Sequence, residues 1–321
     1  MTRPAVLLLE PLHASARARL DEWAQVVELG SPDASLDQAR GGVPLESIGA
    51  LITRGRGQVD EALLDRLPGL RVVARAGVGL DNVALEPAKA RGVRVLNVPD
   101  ALTTTVAEHA IALALAVRRG IPHYATAAKE GRWERRLGYS GASVAGARTA
   151  IVGLGSIGSR AALLFSALGA EVTAWSRTPR EAPEGVARFE PVLERALAGA
   201  SIVSVHVGLH GETRDLLNGE RLALLAPGAT VVNTARPGIV HRASMLAALE
   251  AGQVGAYAVD GFEPEPPDVD DELLGHPRCL VTPHVAALTE ETFCGLCMDT
   301  VEGVRDALEG REPTGGARRV V

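Results

Sequence analysis

Short runs of apolar, β-branched residues alternate along the chain with longer stretches in which apolar positions return every three or four residues. Residues 6–9, 51–53, 72–74 and 93–96 read as strands, with helical patterns at 14–23 and 61–67 between them. A second series starts at 149–152 and continues through 172–175, 202–205, 230–233, 256–259 and 279–282, again with helical patterns between most of its members. Such alternation implies parallel sheets of the α/β class, and two series imply two α/β units. Residues 103–120 lie between the series. They combine Ala and Leu with threonines suited to capping, and predict one long helix bridging the units. An Arg- and Gly-rich stretch follows at 131–148, a further long helix at 290–309, and a polar tail at 310–321.

The length of 321 residues fits two domains at roughly 100–200 residues each. With 46% hydrophobic and 22% charged residues, the chain has the balance of an ordinary globular protein and is expected to fold throughout. Its net charge of −6 provides no global field for phosphate backbones or anionic lipid, so neither nucleic acid nor membrane is an expected partner. The three cysteines, Cys279, Cys294 and Cys297, are too few for a disulfide framework and point to a reducing compartment. Cys294 and Cys297 form one C-x-x-C without a second ligand pair nearby. That predicts two thiols along a helix face, and no metal site is expected. The apolar run at 5–9 is too short for a signal-peptide core, and no segment reaches 18 uncharged apolar residues. A cytoplasmic location is therefore expected.

Gly153, Gly155 and Gly158 form G-x-G-x-x-G between a strand and an Ala/Leu-rich helix, with Ser156 and Ile157 completing the loop. Gly153 permits the tight turn, Gly155 lets backbone approach a pyrophosphate, and Gly158 lets helix and strand pack closely. The next strand ends at Ser176-Arg177-Thr178, where NAD-preferring proteins place an acid. Two hydroxyls and a guanidinium suit a 2′-phosphate, so NADP (NADPH) is the favoured cofactor, with NAD possible.

Three segments just after predicted strands carry further chemistry: 232–236 with Arg236, 259–266 with Glu265, and 282–284 with His284. Strand C-termini of an open α/β sheet line the ligand crevice, so an Arg, a Glu and a His there can converge. Their types suit reduction of a 2-keto acid.

From about Leu51 to the end, the chain resembles the D-isomer-specific 2-hydroxyacid dehydrogenase family. The matching motifs are residues 75–82, the helix start 105–109, the glycine loop, 233–236, 263–266 and 282–284. The resemblance implies two Rossmann-like domains, a flavodoxin-like substrate domain (1–101 and 286–321) and an NAD(P)-binding doubly wound domain (102–285), with the active site in a cleft. It further implies that His284 is the general acid and base, that Glu265 pairs with it and favours the imidazolium, and that Arg236 binds the substrate carboxylate. Backbone amides of Ala76, Gly77 and Val78 would clasp the same carboxylate. Thr105, His206, Val207, Thr234, Ala235 and Asp260 would border the cofactor.

The chain departs from the family at Pro237, Gly208 and Ser201, where glycine, proline and aspartate are usual. Pro237 pushes Arg236 toward extended backbone. Within the family, residues 51–54, 75–79 and 130–135 look most like 3-phosphoglycerate dehydrogenases, with Arg54 and Arg75 reading a distal phosphate and Arg135 near a neighbouring subunit's site. A homodimer through 103–120 and 132–136 is expected. The Ser-Arg-Thr stretch is instead more typical of NADPH-dependent hydroxypyruvate and glyoxylate reductases. A keto acid bearing phosphonate would suit the same arginines, and a non-catalytic, dinucleotide-sensing corepressor is a reading from another class. No room is expected for a C-terminal serine-sensing domain.

Overall fold

The computed structural model describes residues 3–29, 36, 41–178 and 181–321. Its contacts divide the chain into two compact units, Met1–Leu102 with Leu288–Val321, and Thr103–Ala287. The first unit runs β1 (Ala5–Leu8), α1 (Ala14–Trp23), β2 (Gln25–Glu28), β3 (Ile48–Thr53), α2 (Glu61–Asp65), β4 (Val72–Arg75), α3 (Leu85–Ala90) and β5 (Arg94–Asn97). The second unit runs α4 (Thr103–Arg118), α5 (Ile121–Lys129), β6 (Arg148–Val152), α6 (Ser156–Ala167), β7 (Glu171–Trp175), β8 (Arg188–Phe189), α7 (Leu193–Leu197) and β9 (Ile202–Val205). It continues with α8 (Gly219–Ala223), β10 (Ala229–Asn233), α9 (Arg242–Glu250), β11 (Val254–Asp260) and β12 (Cys279–Thr282). The chain then returns to the first unit through α10 (Glu290–Leu308) and β13 (Arg318–Arg319).

The first sheet has the order β13-β5-β4-β3-β1-β2, parallel except at β13. This is the flavodoxin-like arrangement with one antiparallel edge strand added. Ala5 and Leu7 of β1 join the core on one face, while Val6 and Leu8 join the core on the other, where α1 and α10 pack. A strand covered on both faces has no need of polar alternation, which explains its unbroken apolar run.

The second sheet has the order β12-β11-β10-β9-β6-β7-β8 and is parallel throughout. The chain winds outward from β6 to β8, then restarts at β9 on the other side of β6. This is the doubly wound order, and the loops after β6 and β9 diverge at its switch point. On α4, Val106, Ala107, Ala110, Leu113 and Ala114 are buried at helical spacing. Ala110, Leu113 and Ala114 pack against Phe165 of α6 and against Ile151, Val232 and Ala258 of the sheet.

Three strands are among the elements that escape the hydropathy pattern. β2 and β8 are short edge strands, β8 only two residues long. The stretch 310–321, expected as a polar tail, instead pairs through β13 with β5 and buries Ala317. Asp306 anchors its approach, accepting from the Thr314 hydroxyl at 2.6 Å and the Thr314 N–H at 3.0 Å. Edge pairing uses backbone groups, so polar side chains do not betray it. Among the described residues, no helix is long and apolar enough to cross a membrane.

Candidate active site

The glycine loop joins the C-terminal end of β6 to α6. Gly153 has φ +105°, and a Cβ there would stand 2.5 Å from the His206 carbonyl oxygen. A Cβ on Gly158 would overlap the Gly153 carbonyl oxygen, whereas one on Gly155, the N-cap of α6, would meet open space. The two outer glycines thus close the packing, and the middle one leaves backbone exposed beside the positive end of a 12-residue helix. These features fit a bound pyrophosphate. Ser156 and Ile157 form the first turn of α6.

A cavity of about 580 Å³ opens beside this loop, bounded by Gly153, Leu154 and Gly155, by residues 175–178 after β7, and by 206–208 after β9. His206 and Val207 line it, and burial pushes the His206 imidazole down to about 4, so it is neutral near pH 7. Its Nε2 lies 2.8 Å from the Ser204 hydroxyl. The Ser176 hydroxyl donates to the Thr178 carbonyl at 2.6 Å. Arg177 donates to Glu212 at 2.8 Å, an ion pair at the rim with side chains 69% and 74% exposed.

The loops after β10, β11 and β12 carry Arg236, Glu265 and His284. Asn233, fully buried at the end of β10, accepts from the Ala235 N–H at 3.0 Å and donates to the Arg236 carbonyl at 2.8 Å, which pins the 234–236 loop. Arg236 has φ −142° and ψ 138°, the extended backbone that Pro237 demands, and Pro237 opens a 3₁₀ turn at Pro237–Ile239. The Thr234 hydroxyl is buried without a protein partner, as a group facing a bound cofactor would be.

His284 adopts the left-handed conformation, φ +58°, and its Nδ1 lies 3.3 Å from the Glu265 carboxylate. That carboxylate also accepts from the Phe262 N–H at 2.9 Å. The hydrogen bond to His284 holds Glu265 below the ordinary carboxylate range against the opposing effect of burial, with help from the Phe262 N–H and the Arg236 charge. Asp260, 3% exposed, accepts from the Thr282 hydroxyl at 2.6 Å and from the N–H groups of Val285 and Ala286 at 2.9 and 2.8 Å. A hydroxyl has one proton, and Thr282 gives it to Asp260. His109 Nε2, 3.1 Å from the same oxygen, must therefore be the donor in that contact.

In the other unit, Glu10 folds the 53–57 loop around its carboxylate, accepting from the N–H groups of Arg54, Gly55, Arg56 and Gly57 at 2.7–3.2 Å and from the Thr53 hydroxyl at 3.0 Å. Arg54 lies 4.4 Å over the Phe293 ring. Arg75 ends β4, and its guanidinium covers Gly77 so closely that a Cβ there would overlap it. The amides of Ala76 and Gly77 already donate to the carbonyls of Thr53 and Arg75, at 2.8 and 2.9 Å. Two of the three N–H groups expected to clasp a carboxylate are thus engaged by the protein itself, while Val78's carbonyl accepts from Asn97 at 2.8 Å. Thr105 lies in the first turn of α4.

The family model of the D-isomer specific 2-hydroxyacid dehydrogenase NAD-binding domain matches residues 111–286. The chain belongs to this family. It is 38% identical over 313 residues to the D-3-phosphoglycerate dehydrogenase of Mycobacterium tuberculosis, which covers 97% of this chain and 58% of that protein. The chain therefore spans less than two-thirds of the length of such curated relatives. Among solved structures, a Thermus thermophilus protein superposes with a TM-score of 0.87 at 33% identity, covering 99% of this chain and 100% of its own. An NADPH-dependent glyoxylate/hydroxypyruvate reductase from Sinorhizobium meliloti, solved with NADP and malonate, gives a TM-score of 0.87 at 29% identity, with both chains covered completely.

In this member of the 2-hydroxyacid dehydrogenase family, His109, Glu212 and Glu10 take part in these contacts without a site signature of their own in the sequence. His109 falls inside the 105–109 motif, which is a signal of sorts. Glu212 has no local signal, since its partner is 35 positions away.

Proposed function

We propose that this family member reduces a small 2-keto acid to the D-2-hydroxy acid, and oxidises it in reverse, with a nicotinamide dinucleotide. The observation that carries this reading is the His284–Glu265 pair, with the Arg236 charge acting on the same carboxylate, on loops of the dinucleotide-binding fold. When bound, the reduced nicotinamide supplies a hydride to the carbonyl carbon. Glu265 accepts from Nδ1–H and orients the ring, leaving Nε2 to deliver a proton to the carbonyl oxygen. Arg236 holds the substrate carboxylate and polarises the carbonyl. Asp260 fixes the loop that carries His284.

Gly153, Gly155, Ser156, Ile157 and Gly158 hold the pyrophosphate, with Val207, Thr105, Thr234 and Ala235 as further cofactor contacts. Arg177 favours NADPH, while its pairing with Glu212 leaves NADH usable. For the acid, we favour one with a distal phosphate, read by Arg54 and Arg75, as in phosphohydroxypyruvate. The likeness to D-3-phosphoglycerate dehydrogenases supports this. Hydroxypyruvate and glyoxylate form the second reading, supported by the reductase likeness and by Arg177. Ile121, Trp133, Leu137 and Tyr139, exposed at 53, 68, 84 and 43%, lie within or beside the segments 103–120 and 132–136 and support self-association through them. Sedimentation of the parent and of Leu137→Glu tests that assignment.

The deciding experiment is initial rates of NADPH and NADH loss with phosphohydroxypyruvate, hydroxypyruvate and glyoxylate. A ten-fold or greater kcat/KM for the phosphorylated acid, roughly 1.4 kcal/mol, identifies the distal anion as the recognised group. No rate with any of the three acids overturns the substrate reading.

A further inference from the structure

The cavity beside the glycine loop is lined by four charged side chains, Arg177, Glu212, Arg221 and Glu194. They form two pairs. Arg177 meets Glu212 at 2.8 Å, and Arg221 meets Glu194 at 2.9 Å while also donating to the Leu216 carbonyl at 2.8 Å. Of the two lining histidines, His206 is neutral near pH 7 and His210 is exposed, and the four charged side chains are two positive and two negative. Positive and negative charges therefore cancel around a pocket whose sequence signature suggests recognition of a doubly charged phosphate. The Ser176 proton is directed at the Thr178 carbonyl, which leaves Arg177 as the charged group of the 176–178 stretch able to read a 2′-phosphate.

We propose that Glu212 is the residue that sets dinucleotide preference, by competing with the 2′-phosphate of NADPH for Arg177. The proposal rests on the reading of this cavity as the dinucleotide site. A guanidinium has five N–H donors in a rigid fork, so Arg177 can bridge Glu212 and a phosphate. Shared in this way, its charge is partly neutralised, and the ribose hydroxyl of NADH loses less by comparison. The chain is then a dual-cofactor protein with a modest leaning toward NADPH, and the carboxylate at position 212 is the counterweight. Nothing in the local sequence around 176–178 reports it, because the two residues meet only through the loops after β7 and β9.

The magnitude is bounded by exposure. Both side chains are mostly in solvent, where such pairs contribute little, so the shift in selectivity is roughly three- to five-fold and shrinks as salt is raised. The test is fluorescence titration of the full chain with NADPH and NADH at low and high salt, for the parent, Glu212→Gln, Arg177→Gln and the double variant. Glu212→Gln is expected to raise the ratio of Kd for NADH to Kd for NADPH by about three- to five-fold at low salt, and Arg177→Gln to lower it. In the Arg177→Gln background, Glu212→Gln should leave the ratio within about 1.5-fold. An equal rise in both backgrounds means that Glu212 repels the phosphate directly, which overturns the competition for Arg177. An unchanged ratio in Glu212→Gln while both dinucleotides still bind overturns the proposal and spares the dinucleotide reading. Failure of the parent to bind either dinucleotide removes that reading, and the proposal falls with it.

Discussion

Asp260 and Thr282 meet at 2.6 Å, and through the same carboxylate Asp260 also holds the backbone of Val285 and Ala286, the two residues that follow His284. His284 sits in this short, tied loop with φ +58°, a conformation uncommon outside glycine and one that the ties to Asp260 help to hold. Replacing Asp260 by Asn puts N–H groups against N–H donors in a buried site. We expect a loss of about 1–3 kcal/mol of stability in urea unfolding, with a fall in kcat that exceeds any change in dinucleotide affinity. Wild-type turnover in Asp260→Asn would remove the loop-holding role.

His284→Ala is expected to lower kcat by about 10²–10⁴-fold while dinucleotide binding is retained, the scale of a lost general acid. Glu265→Gln keeps an acceptor for Nδ1–H and removes the charge, so a smaller loss is expected, about 10–100-fold. Because His284 holds Glu265 below its ordinary range, the carboxylate should remain ionised below pH 4.5. The stability that its charge contributes is fully present above the unfolded value and disappears as pH falls through the folded one. A Glu265→Gln variant whose acid unfolding profile matches the parent's contradicts this.

Glu10 gives an independent pH test. Burial works to raise its pKa, but four backbone N–H groups outweigh burial and leave it lowered from 4.5. The sign is the same: Glu10 stabilises the fold above its unfolded value, and that contribution is lost on acidification. Glu10→Gln should cost about 1–2 kcal/mol at pH 7, discounted because the group is only partly buried. The difference from the parent should narrow toward pH 3. Urea midpoints of both proteins at the two pH values provide the comparison, and a constant gap would exclude a charge effect.

Gly158→Ala forces a methyl group onto the Gly153 carbonyl oxygen, a backbone atom that cannot swing aside. The cost should fall on the seam between β6 and α6, lowering the melting temperature and weakening dinucleotide binding at least ten-fold. Gly155→Ala meets open space and should fold normally, with its penalty confined to binding. Paired melting curves and titrations separate the two; equal melting losses would mean that the glycines share one role.

Much of this molecule was legible because its signals are local. The apolar runs at 149–152 and 202–205 appear as β6 and β9 within a residue or so, since a strand buried on both faces must be apolar whatever lies beside it. Gly153 is demanded in part by its own turn at φ +105° and Gly158 by the nearby Gly153 carbonyl, although the crowding of Gly153 by His206 is a tertiary matter, and Pro237 constrains Arg236 through a covalent bond. What the sequence leaves open is what distant segments do to one another. His109 reaches Thr282 across 173 positions, and Glu212 reaches Arg177 across 35. The engagement of the Ala76 amide by Thr53, and the pairing of β13 with β5, likewise depend on strand neighbours. Hydrogen bonds and ion pairs of this kind carry no periodicity along the chain, because any donor suits any acceptor. Which ones meet is decided by strand order and loop path, and those belong to the tertiary structure alone.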